Sequence, residues 1–261
     1  MTDAFAAKVF AIVRGTRALS LPQWGTAAVK EKKGERGDSI VTEADLAVER
    51  QLADELGKLD SGVSFAGEEY GGSRDAARLW LADPIDGTAH YARGLPFCTT
   101  MLAYIEDGEV RLAAIYDFLN DALYHAVKGG GAFRNGEPIR VSERPYDSAY
   151  VGWESHLAKP ENLARYFAMF GRALPFKTIC AGYEFALIAS GKLEGRVQFD
   201  PHGKDYDFAP GSLLVKEAGG VVANLGKRTY DYRELDFIAA NPHVFAALTE
   251  GADAAFPITE G

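Results

Sequence analysis

Apolar side chains recur at helical spacing in five segments of the chain. This spacing predicts helices over residues 1–14, 45–59, 161–170, 183–190 and 207–218. Thr42 and Asp45 form a T-x-x-D capping pattern at the start of the second helix, and glycines follow the fourth and fifth, where glycine commonly ends a helix. Pro210 has no N–H to donate and fits best in the first turn of a helix, so the last helix is expected to begin close to Asp207.

Shorter apolar runs, bounded by turn residues, predict strands. They cover residues 61–66, 79–82, 99–106, 110–116, 122–127, 150–153 and 221–223. The runs at 99–106, 110–116 and 122–127 are separated by the turn dipeptides Asp107-Gly108 and Asn120-Asp121. This spacing predicts three neighbouring antiparallel strands of one sheet. A polar stretch at residues 143–147 then divides the chain. In the first part, residues 1–145, the strands are grouped, whereas strands and helices alternate in the second part, residues 146–261.

Composition and charge narrow the function classes. The chain has 261 residues, of which 47% are hydrophobic and 25% charged, so it is long enough to bury a core and is not expected to be disordered. Its formal net charge of −9 argues against a nucleic-acid partner, which would require a basic face. The two cysteines, Cys98 and Cys180, are far apart, so neither a disulfide scaffold nor a zinc ribbon is expected. Because no apolar run reaches roughly 18 residues and no signal-peptide pattern is present, a cytoplasmic location without a membrane partner is expected.

Carboxylates cluster at the ends of predicted strands. Glu68 and Glu69 follow one predicted strand, and Asp83 and Asp86 follow the next. Strand ends of this kind converge on the crevice where open α/β sheets bind ligands, and Pro84 makes the turn between the two aspartates rigid. Carboxylates held so close together repel unless a divalent cation lies between them. A ligand set made only of oxygen atoms suits Mg²⁺ rather than zinc or copper.

Gly87 and Thr88 come directly after these aspartates. Glycine lets the backbone approach a ligand closely, and free N–H groups at the start of a helix bind phosphate. Each feature also has an ordinary structural explanation: Asp-Pro and Asp-Gly are common in surface turns, glutamates at a loop end are usually solvated, and Thr42 with Asp45 forms a helix cap. Asp207 could equally be only a helix N-cap. No single feature decides between a metal site and these alternatives.

Other catalytic motifs are missing from the sequence. The five histidines form no HExxH pattern, no serine lies in a GxSxG motif, and neither cysteine lies in a known motif. The glycines at positions 129–131 do not fit GxGxxG and are expected to form a hairpin turn. A dinucleotide site is therefore not expected.

Four segments together resemble the inositol monophosphatase family, which is part of the metal-dependent, lithium-sensitive phosphatase superfamily that includes fructose-1,6-bisphosphatases. They are GDSIVTEAD at residues 37–45, FAGEEY at 65–70, LADPIDGT at 81–88 and YDFAPGSLLVKEAGG at 206–220, in the family's order and at its approximate separations. The resemblance covers nearly the whole chain. It implies a mixed fold of the α+β or α/β class, a layered αβαβα sandwich, which agrees with the grouped and then alternating strands.

The resemblance also implies, position by position, which residues form the site. The implied metal ligands, for two or three Mg²⁺ ions, are Glu68, Asp83, the backbone carbonyl of Ile85, Asp86 and Asp207. Gly87 and Thr88 would bind the phosphate group. Asp45 and Thr88 would orient and deprotonate the attacking water, with Glu68 assisting through a metal ion.

The alcohol part of the substrate is less well defined by the resemblance. Asp200 and Ala181 lie at positions where the family contacts substrate hydroxyls. The chain departs from the family in having Tyr206 where tryptophan is usual, Pro210 where alanine is usual, and Ile-Cys-Ala at residues 179–181 where Gly-Ser-Ala commonly lines the substrate. None of these departures removes an implied metal ligand, so hydrolysis is still implied while the identity of the alcohol stays open.

The implied function is that of a Mg²⁺-dependent phosphomonoesterase acting on a small polyol or sugar monophosphate such as inositol monophosphate. Within the superfamily, the alternative is a phosphatase for histidinol phosphate, fructose 1,6-bisphosphate or a nucleotide bisphosphate. Outside it, the alternative is a non-catalytic interaction protein that keeps the fold. A homodimer and inhibition by lithium are implied by the resemblance alone.

Overall fold

The computed structural model describes residues 2–33 and 39–259, so Gly37 and Asp38 of the first motif lie outside the described residues. The helices are α1 Asp3–Gly15, α2 Arg17–Ser20, α3 Glu43–Leu59, α4 Thr88–Arg93, α5 Pro160–Met169, α6 Ala181–Ala189, α7 Asp205–Glu217 and α8 Pro242–Thr249. The strands are β1 Val29–Lys33, β2 Ser39–Thr42, β3 Ser64–Gly67, β4 Arg78–Asp86, β5 Thr99–Glu106, β6 Glu109–Asp117, β7 Ala122–Val127, β8 Ala132–Arg134, β9 Glu137–Ile139, β10 Tyr150–Glu154, β11 Leu174–Phe176, β12 Gly195–Gln198, β13 Val221–Asn224 and β14 Phe237–Ala240. None of the helices in the described ranges is both long and apolar enough to cross a bilayer.

The strands form two large sheets and one small one. The larger sheet has seven strands in the order β3-β4-β5-β6-β7-β8-β9, with β3 parallel to β4 and every other pair antiparallel. The second sheet has five strands in the order β11-β10-β12-β14-β13, and β10 runs parallel to both of its neighbours. Strands β1 and β2 form a separate antiparallel pair. The predicted antiparallel arrangement of residues 99–127 is confirmed.

The helices lie in layers against these sheets. On one face of the seven-stranded sheet, Leu52 of α3 packs in a buried cluster with Trp80 of β4. On its other face, Phe185 of α6 lies in a cluster that includes both Ile115 of β6 and Phe237 of β14, so α6 and α7 fill the space between the two sheets. The far side of the five-stranded sheet is covered by α5 and α8. This is the predicted αβαβα sandwich.

Strand β4 is longer than the sequence pattern predicts. The strand does not end before Asp83 but continues through Pro84 to Asp86. Asp83 pairs with Met101 and Asp86 with Thr99, so three steps along β4 match two along β5, which is the register of a β-bulge. Proline has no N–H to give to a ladder, and a bulge is one of the few places where a strand accepts it. The predicted turn at Asp83-Pro84 is therefore wrong.

Helix α7 begins at Asp205, two residues before the expected start, so that Pro210 is the sixth helical residue rather than part of the first turn. The N–H that Pro210 lacks would have donated to the carbonyl of Tyr206, four residues earlier. Residues 208–215 are all buried. Packing between the two sheets thus keeps the helix continuous despite the missing hydrogen bond.

The division of the chain near residue 145 falls between β9 and β10, which belong to different sheets. Helix α7 contacts strands of both sheets, so the middle layer is shared by the two parts of the chain. Whether residues 1–145 and 146–261 are separate domains stays a prediction.

Candidate metal centre and active site

A cavity of about 740 Å³ opens at the carboxyl end of β4, beside the start of α4 and the start of α7. Of the residues singled out in the sequence, those that line it are Glu68, Asp83, Ile85, Asp86, Gly87, Thr88, Ile179, Ala181, Tyr206 and Asp207. Asp45, Glu69 and Asp200 are not among its lining residues. The structure therefore brings together most of the implied site, although its members come from four distant parts of the chain.

Three aspartates form an acidic cluster in this cavity. Asp83, Asp86 and Asp207 each offer a carboxylate oxygen, and these oxygens lie within 4.8 Å of one another. Burial, followed by the charges of Glu68 and Asp86, raises the pKa of Asp83 well above its usual value, and burial and the charge of Asp86 do the same for Asp207. Burial also raises the pKa of Asp86, to about 6. So many carboxylates are stable in ionised form only with a cation between them.

The bulge in β4 explains why two aspartates three residues apart face the same cavity. In a regular strand, side chains alternate between faces, so residues i and i+3 point in opposite directions. The extra residue between Asp83 and Asp86 shifts this alternation by one and aligns both with the same side of β5. The sequence correctly predicts their convergence, but its cause is a bulge and not a turn.

The donor set of the cluster fits Mg²⁺. All the candidate ligand atoms are carboxylate or carbonyl oxygens, which is the chemistry that a hard divalent cation prefers. Asp83 Oδ1 is buried, and none of the residues that the structure describes donates a hydrogen bond to it. A buried carboxylate oxygen without a donor is costly, and a bound cation would remove that cost.

Asp86 is held in place by the start of α6. Its Oδ2 accepts hydrogen bonds from the N–H of Gly182, at 2.6 Å, and from the thiol of Cys180, at 3.1 Å. A Cβ at position 182 would lie 2.4 Å from Thr99 Oγ1, so only glycine allows this approach of α6 to Asp86. The sequence pointed to residues 179–181 as part of the substrate wall, but gave no sign that Cys180 and Gly182 orient an aspartate.

Thr88 links the cavity to Asp45. The Thr88 hydroxyl lies 3.2 Å from Asp45 Oδ1 and 2.8 Å from the carbonyl oxygen of Ile85, and its single proton can be donated to either. Asp45 Oδ2 accepts from the N–H and the hydroxyl of Thr42, which completes a capping box at the start of α3. Burial raises the pKa of Asp45 to about 6, although the hydrogen bonds from Thr42 oppose this shift. Asp45 is therefore both a helix cap and a partner of Thr88.

The backbone at Gly87 turns sharply into α4. Gly87 has φ 84°, and a Cβ there would lie 2.5 Å from the carbonyl oxygen of Phe97, so this position requires glycine. Gly87 and Thr88 line the cavity at the N-terminal end of α4, where the first N–H groups have no partner within the helix.

Asp200 lies outside the cavity lining. Its Oδ2 accepts hydrogen bonds from Lys159 Nζ and from Asn162 Nδ2, both at 2.7 Å. The hydrogen bond from Lys159 lowers the pKa of Asp200. Asp200 follows the end of β12 in a left-handed conformation, with φ 51°, so its spacing from Asp207 does not carry its side chain to the site. Its contact with substrate stays a prediction, and this geometry does not support it.

The cavity lining also contains residues that sequence reasoning missed. It includes Trp153, Glu154, Ser155, Lys177 and His202. Glu154 Oε2 accepts from Arg196 Nη2 at 2.7 Å, and its Oε1 accepts from the N–H groups of His202 and Gly203. Arg196 also binds the buried Glu184. The sequence does contain one indication of a buried ion pair here. Glu184 and Arg196 are charged residues that lie within the otherwise apolar segments of α6 and β12.

A second groove, of about 750 Å³, shares Lys204 with this cavity. Its two arginines already have acidic partners: Arg74 pairs with Asp205 and Arg233 with Asp231, at 2.6 and 2.5 Å. The two arginines of this groove therefore offer no unpaired charge to a ligand.

The sequence and the fold of this chain are both similar to those of known inositol monophosphatases. The model of the inositol monophosphatase family matches residues 3–254. The chain is 34% identical over 241 residues to a fructose-1,6-bisphosphatase/inositol-1-monophosphatase of Thermotoga maritima, with 88% of each chain covered. It is 30% identical over 242 residues to the Nus factor SuhB of Pseudomonas aeruginosa, covering 88% of this chain and 87% of the relative. The solved structure of a Thermotoga maritima IMPase superposes with a TM-score of 0.82 at 30% identity and covers 94% of both chains.

Proposed function

Because the chain belongs to the inositol monophosphatase family and is a phosphatase of that family, we propose that it hydrolyses the phosphomonoester of a small polyol or sugar, such as inositol monophosphate, with Mg²⁺. The observation that carries this proposal is the convergence of Asp83, Asp86 and Asp207 within 4.8 Å, beside Gly87 and Thr88 at the start of α4. Such a site offers oxygen ligands for cations on one side and backbone N–H groups for a phosphate on the other.

The residues that would hold two or three Mg²⁺ ions are Glu68, Asp83, Asp86, Asp207 and the carbonyl of Ile85. Bound Mg²⁺ would supply positive charge against the phosphate oxygens and lower the pKa of a water molecule. The carboxylate cluster and the phosphate group of the substrate are both negatively charged and repel each other. Cations bound between them would remove this repulsion.

Thr88 and Asp45 are suited to move the proton of the attacking water. The water oxygen attacks phosphorus as the bond from phosphorus to the alcohol oxygen breaks. The proton of the water passes to Thr88 Oγ1, and the hydroxyl proton of Thr88 passes to Asp45 Oδ1, 3.2 Å away. The alcohol oxygen leaves with the bonding electron pair and takes up a proton from solvent water. Because the pKa of Asp45 is raised to about 6, its carboxylate is a stronger base than an exposed aspartate and is still ionised at neutral pH. The phosphate oxygens would accept hydrogen bonds from the N–H groups of Gly87 and Thr88.

Several finer properties are expected from family membership and composition. Histidinol phosphate, fructose 1,6-bisphosphate and nucleotide bisphosphates are the alternative substrates. A homodimeric assembly, inhibition by Li⁺ and a cytoplasmic location rest on the family resemblance and the sequence pattern. The net charge of −9 supports the absence of a nucleic-acid partner. The loss of a ligand carboxylate would have favoured a non-catalytic interaction protein, but all of the implied ligands are present.

Metal dependence is the direct test. Phosphate release from a panel of phosphomonoesters, inositol 1-phosphate among them, is expected with Mg²⁺ and is expected to disappear in EDTA. Excess Ca²⁺ should inhibit, because the larger ion tolerates irregular coordination and would occupy the carboxylates without positioning the water. Full activity in EDTA, after removal of carried-over metal is verified, would contradict the proposal.

Stability as a function of pH tests the acidic cluster without any substrate. The pKa of Asp86 rises from 3.8 to about 6 on folding, so the metal-free folded protein binds this proton more tightly than the unfolded chain does. Ionisation of the Asp86 carboxyl therefore lowers the free energy of unfolding of the metal-free protein as the pH rises from about 4 to about 6. Mg²⁺ should raise the Tm by about 5–10 °C at 100 times its Kd and pH 7.5, and by much less at pH 5.

The difference between Tm values with and without Mg²⁺ is the quantity to measure. His125, whose pKa burial lowers to about 4, acts in the opposite direction in the same pH range, but it contributes equally to both curves. Scanning fluorimetry in matched buffers gives the difference directly. A Mg²⁺ effect that is equal at pH 5 and pH 7.5 would contradict the role of the cluster.

A further inference from the structure

The loop that carries Glu68 is held at its start by a buried carboxylate. This loop, residues 68–77, joins the end of β3 to the start of β4. Glu49 of α3 is fully buried, and its two carboxylate oxygens accept hydrogen bonds from the N–H groups of Glu69 and Tyr70, each at 2.8 Å. Hydrogen bonds to an ionised acceptor are among the strong ones, so the backbone beside Glu68 is fixed relative to α3.

Arg74 attaches the same loop to the start of α7. Arg74 Nε donates to Asp205 Oδ2 at 2.6 Å, and Arg74 Nη2 donates to Asp205 Oδ1 at 3.2 Å, so the guanidinium binds the carboxylate through two hydrogen bonds. Its Nη1 donates to the carbonyl oxygen of Gly72 at 3.4 Å, and its carbon atom lies 5.9 Å from the centroid of the Tyr206 ring. A two-point bond of this kind fixes the orientation of its partners as well as their distance.

The first turn of α7 joins this ion pair to the acidic cluster. Asp205 is the first residue of α7, and Asp207 is the third. The carboxylate of Asp207 accepts a hydrogen bond from the N–H of Lys204 at 2.5 Å and contributes an oxygen atom to the cluster. Residues of one helical turn move together, because backbone hydrogen bonds fix their relative positions. The ion pair spans 131 residues of the chain, and it ties the loop of Glu68 to the helix of Asp207.

A fixed spacing matters at this site because its carboxylates repel one another. Oxygen atoms of Asp83, Asp86 and Asp207 lie within 4.8 Å of one another, and Glu68 lines the same cavity. Like charges lower their energy by moving apart, so a site that is ready to bind a cation needs a rigid backbone. Such preorganisation raises affinity, because less ordering is left to occur on binding.

We propose that Arg74 is a positioning residue for the metal centre. Its ion pair with Asp205 fixes the loop of Glu68 against the start of α7 and thereby raises the affinity of the site for Mg²⁺. The inference rests on the proposed function and goes beyond it, because Arg74 and Asp205 line the second groove and not the cavity. Residues that support metal ligands from outside the coordination sphere commonly alter metal affinity.

The charge of Arg74 and its position predict opposite effects on Mg²⁺ binding. If only the charge mattered, Arg74→Met would tighten Mg²⁺ binding, because a positive charge near the site repels the ion. A positioning role predicts that the Kd for Mg²⁺, measured by calorimetry on the metal-free protein, rises about 3- to 10-fold in Arg74→Met. In the double variant Arg74→Met/Asp205→Asn the two charge effects cancel, yet Kd should stay raised by the same factor, since both changes break one bond.

Arg233→Met is the matched control. Arg233 lines the same groove, binds the carboxylate of Asp231 at 2.5 Å and lies 5.8 Å from the centroid of the Tyr232 ring, but its partner is two residues away in the same loop. Its loss should leave the Kd for Mg²⁺ within twofold of wild type. Tm in EDTA should fall by less than about 4 °C in every variant, because a partly exposed ion pair contributes little to stability.

The binding measurement decides the role of Arg74 apart from catalysis. A Kd for Mg²⁺ that is unchanged or lower in Arg74→Met, whether or not Tm falls, would overturn the positioning role and leave the phosphatase proposal intact. Wild-type protein that binds Mg²⁺ but hydrolyses no phosphomonoester would defeat the proposed function, and the comparison of Kd values would still decide the role of Arg74. Wild-type protein that binds no Mg²⁺ would defeat both.

Discussion

Replacement of Asp86 by asparagine is expected to lower kcat for phosphate release by about 10²–10³-fold or more while the protein stays folded. The amide preserves the shape of the side chain, and its oxygen can still accept the hydrogen bond from Gly182 that now measures 2.6 Å. What is lost is one negative charge of a three-aspartate cluster. Under the proposed function, that charge would help to hold the cation that neutralises the phosphate.

The same change should not destabilise the metal-free protein. Because burial raises the pKa of Asp86 to about 6, ionising this carboxyl costs more free energy in the metal-free folded protein than in the unfolded chain, and a neutral amide avoids that cost and the repulsion by Asp83 and Asp207. Tm in EDTA should stay the same or rise, while the Mg²⁺-induced increase in Tm should shrink. Asp54→Asn, at an exposed position of α3, serves as control for both assays. Phosphate release close to wild type from a well-folded Asp86→Asn protein would remove Asp86 from the metal site.

Replacement of Arg196 by methionine is expected to reduce the free energy of unfolding by about 3–5 kcal/mol. Arg196 is 2% exposed and lies between Glu184, which is fully buried, and Glu154. Glu184 also accepts hydrogen bonds from the N–H and the hydroxyl of Thr178. Removing the guanidinium leaves two carboxylates without their common cation in the space between the two sheets.

Urea denaturation of matched variants can isolate this charge effect. Arg165→Met, at an exposed position of α5, should change the free energy of unfolding by less than about 0.5 kcal/mol. Adding Glu184→Gln and Glu154→Gln to Arg196→Met should recover part of the loss, because neutral amides carry no uncompensated charge. A loss below about 1 kcal/mol in Arg196→Met would mean that water or another cation compensates both glutamates.

The main helices and strands around the site could be predicted from the hydrophobic pattern, whereas the layered architecture was implied by the family resemblance. Each predicted helix and strand overlaps an observed one, because burial of one face leaves a periodic pattern in the chain. The elements without such a pattern, among them α4, β9 and β11, are short or exposed and were not predicted. Asp83, Asp86 and Asp207 were identified because carboxylates at the ends of buried elements are unusual and because their motifs are specific.

The contacts that those residues make depend on how distant elements of the chain pack together. The hydrogen bonds of Asp86 to Cys180 and Gly182 join positions 94 and 96 residues apart, and Thr88 meets Asp45 across 43 residues. The periodic spacing of apolar residues indicates which side of a helix or strand is buried. It does not indicate which other element packs against that side.

The same limit explains why the surroundings of two parts of the cavity could not be predicted. Asp200 has the expected spacing from Asp207, but the chain turns at the end of β12 and gives its carboxylate to Lys159 and Asn162. The wall of Lys177 and Ser155 went unnoticed because its members come from different elements, and neither stands out in the sequence. A side chain's direction depends on backbone angles and packing partners, which are set only when the two sheets close on α6 and α7.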